Sequence, residues 1–251
     1  MDSQRFLNRE LSWIQFDARV LQEALDPRTP LLERIKFLQI FTTNLDEFFM
    51  KRVGGIKRHR ALARQESAAR TDELLAEIRS HLHPLLAKQY ACWNTEIRPA
   101  LEREGIRLLA WEGLAEDEQR WLENYFDQNL FPVLTPLAVD PGHPFPFISN
   151  LSFSLGVLLR NPRTAHSTDA SYEQETLFAR VKIPSTFPSW IRLKTGEDRF
   201  ISTRAVIEKF LDRLFPGMEI QGSLAFRVTR NADLERDEED AEDLLLSLIH
   251  I

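Results

Sequence analysis

One cysteine in 251 residues is too few for an intramolecular disulfide or for a zinc site built on several thiolates. Cys92 stands in an apolar stretch at positions 90–93, where a small packed hydrophobe is expected rather than a redox group. The chain also has no run of about 18 uncharged apolar residues, which removes a helical membrane span. Its start, MDSQRFLNRE, lacks the charged-then-apolar layout of a signal peptide, so a soluble, cytoplasmic chain is expected. Glycine is scarce, at nine residues, and neither GxxxxGK[ST] nor GxGxxG occurs. No glycine-rich turn is therefore available to cradle phosphates.

What is present fills a globular fold. At 251 residues the chain is long enough for one large or two ordinary domains, and its 43% hydrophobic content is enough to fill their cores. The net charge of −6 is unevenly placed: eight acids and one arginine between Asp233 and Asp243 carry −7, so the remainder is close to neutral. That run reads as a solvated, helix-starting segment rather than a magnesium site, because Mg²⁺ takes one or two carboxylates plus substrate phosphates. A near-neutral body can still hold a locally basic cleft.

Apolar residues at helical spacing predict a helix from Asn8 to Leu25, ended by Asp26-Pro27. Thr29-Pro30 predicts the cap and first position of a second helix, which reaches about Phe41. Asn44 followed by Glu47 has capping-box spacing and predicts that a third helix starts there and runs to about Arg64, weakened at Gly54-Gly55. Thr71 opens a fourth pattern that Pro84 and Pro99 should kink or split and Gly105 should close. Positions 1–105 thus read as an antiparallel helical bundle. Beyond Gly105 come a short apolar run at 106–109, a helix at 114–130, and a stretch at 131–146 with five prolines, too many for regular structure. Alternating strands follow at 151–159 and 177–183, with the polar loop 160–175 between them. Shorter strands are expected at 190–193, 199–201 and 223–228, and a helix at 203–214. Positions 106–251 therefore read as an α+β domain around an antiparallel sheet.

Several separated blocks then stand out in order: NRELSWIQF from Asn8, ALDPRTPLLERIKFL from Ala24, TNLDEFF from Thr43, PLAVDPGHPFPFISN, and FRVTRNADL. Together they resemble the amino-terminal and middle (head) domains of the polyphosphate kinases, which reversibly transfer the terminal phosphate of ATP to inorganic polyphosphate. The resemblance implies ATP and polyphosphate as ligands, Mg²⁺ as cofactor with its ligands elsewhere, and a homo-oligomer with dimer contacts through the middle domain. No nucleic acid is implied. It also makes Asn44, in the NLDEF block, a nucleotide-binding residue, a role compatible with capping a helix. Arg52 lies within the same matching stretch, and a phosphate or polyphosphate contact is expected of it.

The family's reaction passes through a phosphohistidine. None of His59, His81, His83, His143, His166 and His250 stands in a matching context, so the nucleophile is expected outside these 251 residues and the chain alone is expected to be inactive. The family pattern continues where this sequence ends in SLIHI, so a truncated chain is expected. Lys57, Arg60 and Arg64 fall at spacing that can share one helix face, either as a polyanion surface or as an ordinary solvated edge. Trp13, Phe16, Phe48 and Phe49 fit a core, although an aromatic at the bundle rim can also pack on a purine. Two further readings stay open: a non-catalytic dimerisation or scaffold module, and a helical adaptor with no ligand.

Overall fold

The structure, a computed structural model, describes residues 7–62, 64–139, 147–162, 176–194 and 198–231. The acidic run, the loop at 163–175, His143, His166, His250 and the SLIHI end lie outside the described residues. The chain divides into two compact units, one of Met1–Ile97 with Thr229–Ile251 and one of Arg98–Val228.

The first unit is helical. Asn8 caps α1 (Arg9–Leu25), its Oδ1 accepting the backbone N–H of Glu10 and Leu11 at 3.0 and 3.1 Å. Asp26-Pro27 ends it as expected, and α2 (Leu31–Phe48) returns antiparallel: Trp13 meets Phe48 while Asp17, one turn on, meets Asn44. The cap of α2 is Pro30 rather than Thr29, with no side-chain hydrogen bond.

The expected break at Asn44 is absent. Phe41, Leu45 and Phe48 keep one buried face running across it, and neither glycine nor proline interrupts the backbone there. Helix α2 instead passes into a π turn at Phe49–Val53 and then α3 (Gly54–Leu62). A Cβ on Gly54 would come 2.7 Å from Asn231 Oδ1, so close packing explains that glycine, whereas nothing lies within 4 Å of a Cβ on Gly55.

Helix α4 (Gln65–Ala91) starts six residues earlier than expected and runs through Pro84. Ser80, whose carbonyl loses its helical partner to the proline, lies on the exposed side with Pro84, where solvent can reach it. A second π turn, Cys92–Ile97, comes next. Buried Arg34 ties this corner together, donating to Ala24 O at 2.6 Å and Glu96 at 2.5 Å, with Cys92 Sγ at 3.4 Å. Cys92 is 1% exposed, and burial pushes its thiol pKa up, so it packs as an inert hydrophobe.

The second unit is α+β. After α5 (Arg98–Arg103), Gly105 at φ +83° closes the helix, with Ile106 N–H donating to Leu101 O and Gly105 N–H to Glu102 O, a Schellman arrangement. Strand β1 (Arg107–Leu109) lies parallel to β6 (Arg199–Ser202), which pairs antiparallel with β5 (Trp190–Arg192). The larger sheet is wholly antiparallel in the order β2 (Pro136–Val139), β4 (Thr176–Lys182), β3 (Phe153–Arg160), β7 (Glu219–Arg227). Strand β2 corrects the expectation of no regular structure at 131–146: Pro136 begins an edge strand, where a missing N–H is tolerated. Helix α6 (Glu116–Tyr125) continues into a π turn, Phe126–Leu130, and the expected helix at 203–214 is broken into α7 (Thr203–Lys209) and α8 (Leu211–Leu214). Leu155, Val157, Ala179, Val181, Phe126 and Phe210 meet in one core.

Candidate functional site

The α1–α2 seam brings together residues that the sequence singled out. Asp17, fully buried, accepts from Asn44 Nδ2 at 2.9 Å. Its other oxygen, Oδ2, is buried without a hydrogen-bond partner. Burial pushes the Asp17 carboxyl up to about 6, and the Asn44 hydrogen bond works in the opposite direction. Asn44 itself is half-buried within α2, not at a helix start. Glu47 does not reach back to a cap; it pairs with Lys51 one turn on, which holds its carboxyl below the usual range.

One turn along the seam, Trp13 stacks on Phe48 with ring centroids 4.6 Å apart and an interplanar angle of 13°. Phe48 is buried, but Phe16 and Phe49, expected in the core, are 47% and 41% exposed. The π turn inserts a residue and so rotates the facing of the next helical turns, which is how helices often re-aim side chains at functional sites. It carries Arg52, and Arg52 lines a cleft of about 330 Å³ with Arg9, Lys51, Gly55, His59 and Thr71. Glu10, at the same cleft, is paired with Arg9 at 3.1 Å. Three arginine or lysine side chains and a histidine line this one shallow opening, with Arg9 paired to Glu10 and Lys51 to Glu47. Asn44 is not among the residues lining it.

The expected face of Lys57, Arg60 and Arg64 does not form. Arg64 lies beyond α3 as the cap residue of α4, and Arg60 is held by Asp72, with Nε 2.6 Å from Oδ1. His81 and His83 are exposed, and His81 Nδ1 contacts Glu77 O at 3.0 Å, a local helix bond. Among the described residues no group of three or more His, Cys, Asp or Glu is arranged to hold a metal, and no helix is long and apolar enough to cross a membrane.

Sequence reasoning missed two features of the second unit. A cleft of about 550 Å³ opens beside Leu151, Phe153, Pro184, Phe187 and Trp190, with Leu151 at φ +57° in the turn before β3. Part of the outer face of the larger sheet is apolar, with Leu158 and Leu224 exposed around a shallow groove that includes Phe178 and Phe226. The alternation of β3 signalled only the inner face, because Gly156 and Ser154 interrupt the outer one.

Comparison with known proteins agrees with the order of these elements. A family model described as the polyphosphate kinase N-terminal domain matches residues 6–109, and one described as the polyphosphate kinase middle domain matches residues 117–250. The chain belongs to the polyphosphate kinase family. It is 48% identical over 247 residues to a polyphosphate kinase of Streptomyces coelicolor, covering 97% of this chain and 32% of that protein. It is 45% identical over 264 residues to one from Synechocystis, covering 98% and 34%. The crystal structure of polyphosphate kinase from Porphyromonas gingivalis superposes with a TM-score of 0.76 at 28% identity, covering 98% of this chain and 38% of that one. The chain thus spans about a third of the length of the relatives it matches.

Proposed function

We propose that this chain supplies the nucleotide-contacting share of an ATP-dependent polyphosphate kinase, with Asn44 binding ATP and the phosphohistidine on residues outside these 251. The observation that carries the reading is the Asn44 amide, half-buried and anchored by a buried carboxylate, beside an aromatic stack and on the helix that leads into the Arg52 cleft. The amide supplies direction, the Trp13 ring over buried Phe48 an apolar wall, and the cations a place for phosphate charge. Arg52 is the phosphate or polyphosphate contact in this reading. Mg²⁺ arrives with ATP, and its protein ligands are assigned outside this chain.

Titrating adenylyl imidodiphosphate into the chain tests this: Asn44→Ala is expected to weaken binding about tenfold, the effect of deleting one well-placed polar contact. Equal binding by the variant counts against the reading. The histidines carry a second expectation. Incubated with ATP labelled in its γ-phosphate, the chain should take up no acid-labile phosphate, because none of its described histidines has the buried orienting partner that a phosphorylated imidazole requires. A labelled histidine on this chain would place the nucleophile here.

A second reading, a pairing module, is favoured by one observation: the exposed apolar patch around Leu158 and Leu224 on the outer face of the larger sheet. It is compatible with the first, and the resemblance gives it a second copy of the chain as partner. Leu224, 71% exposed on β7, is the substitution to make. Light scattering should give twice the chain mass for the parent and the single-chain mass for Leu224→Asp; a parent that is monomeric throughout removes the pairing role.

A further inference from the structure

The Asp17 carboxylate touches no nucleotide in the reading of Asn44 as an ATP contact, yet it is the hydrogen-bond partner of that amide. It is fully buried, it spends one oxygen on the Asn44 Nδ2, and its second oxygen meets no donor. A carboxylate buried for stability alone would gain from a second donor or from replacement by an apolar side chain. This one makes a single hydrogen bond, and that bond acts on one amide.

We propose that Asp17 is the positioning residue of the nucleotide site, fixing the Asn44 amide so that it presents an edge matched to adenine and mismatched to guanine. The inference rests on the reading of Asn44 as a nucleotide contact. An ionised carboxylate only accepts, so the amide nitrogen must face it and the amide oxygen is turned away. The Asn44 side chain makes no other hydrogen bond among the described residues, so Oδ1 and the second N–H remain for a ligand. Adenine shows a donor, N6–H₂, beside an acceptor, N7, and an asparagine amide meets both at once. Guanine shows acceptors at O6 and N7, so the amide oxygen would face O6 without a proton between them. Without Asp17 the amide is free to turn over, and that distinction weakens.

The test uses adenylyl and guanylyl imidodiphosphate titrated into the intact chain and its Asp17→Leu, Asp17→Asn and Asn44→Ala variants. The parent should prefer the adenine analogue by about tenfold or more, as expected for one bidentate polar contact against a mismatch. Asp17→Leu, which keeps the packing and deletes the acceptor, should lose most of that preference, and adding Asn44→Ala to it should lose little more. Asp17→Asn keeps the size but can either accept from or donate to the Asn44 amide, so it no longer dictates which way that amide faces and should lose much of the preference, a loss that a purely space-filling role for the carboxylate does not predict. The side-chain amide resonances of Asn44, followed by NMR in the parent and in Asp17→Asn, report its orientation even if Asp17→Leu does not fold. If Asn44→Ala weakens adenine binding while the Asp17 variants bind with parental affinity and preference, the positioning role is wrong and the nucleotide reading stands. If Asn44→Ala changes nothing, the nucleotide reading itself has failed.

Discussion

Asp17→Asn is expected to make the chain about 3 kcal/mol more stable than the parent at pH 8 while leaving it nearly unchanged at pH 4. The cause is a carboxyl that is fully buried and that burial raises from 3.8 to about 6. In the unfolded chain Asp17 ionises near the lower value, so between the two the native state holds more protons than the unfolded one. Stability therefore falls as pH rises through this window, and the favourable contribution, complete below 3.8, is lost above 6. Asparagine mimics the protonated acid at every pH: it keeps an oxygen to accept from Asn44 and carries a donor where the acid carries its proton. Urea denaturation of both proteins from pH 4 to pH 8 isolates this one group, since every other titration is shared. Parallel curves would mean that Asp17 ionises normally and that the seam is wetter than its geometry indicates.

Phe126→Ala should cost about 3–5 kcal/mol, the usual range for emptying a fully buried aromatic site. Phe126 opens the π turn after α6 and has no exposed surface; the Phe210 ring lies 4.9 Å and the Phe131 ring 6.0 Å from its own. Against ordinary domain stabilities of about 5–15 kcal/mol, that loss threatens the second unit as a whole. Phe131→Ala is the control: its ring is 41% exposed, and the same chemical change should cost much less. A midpoint in urea that moves equally for both would show that the core is not centred on Phe126.

The fold was legible wherever one local signal was decisive. Asn8 and Asp26-Pro27 delimit α1, Gly105 closes α5, and the alternation of β3 and β4 marks the sheet. The junction at Asn44 misled because Asn and Glu three apart satisfy a local rule that tertiary packing outweighs: the Phe41, Leu45 and Phe48 face has every reason to continue. The π turns were invisible, since one extra residue in a helix has no compositional mark and is set by what the next turn must face. Pro136 argued against a strand because the sequence does not say which strand lies at an edge. Asn44 came from resemblance and Arg52 from its place beside it; Asp17, which the helix pattern hides as one polar residue on an apolar face, came only from structure. Arg9 and Lys51 join Arg52 through the antiparallel return of α2, a long-range fact that no local pattern carries.

A purine nucleotide seated against the α1–α2 seam at Asn44, as proposed above, has a direct spectroscopic signature. The most direct measurement is the side-chain amide spectrum of the isotopically labelled chain during titration with adenylyl imidodiphosphate. With the nucleotide seated there, the Asn44 side-chain amide and the Trp13 indole N–H should move together, saturably, with one dissociation constant, while Asn124 and Asn129 of the second unit stay still. Saturable shifts confined to the second unit, with Asn44 and Trp13 unmoved, would contradict that placement.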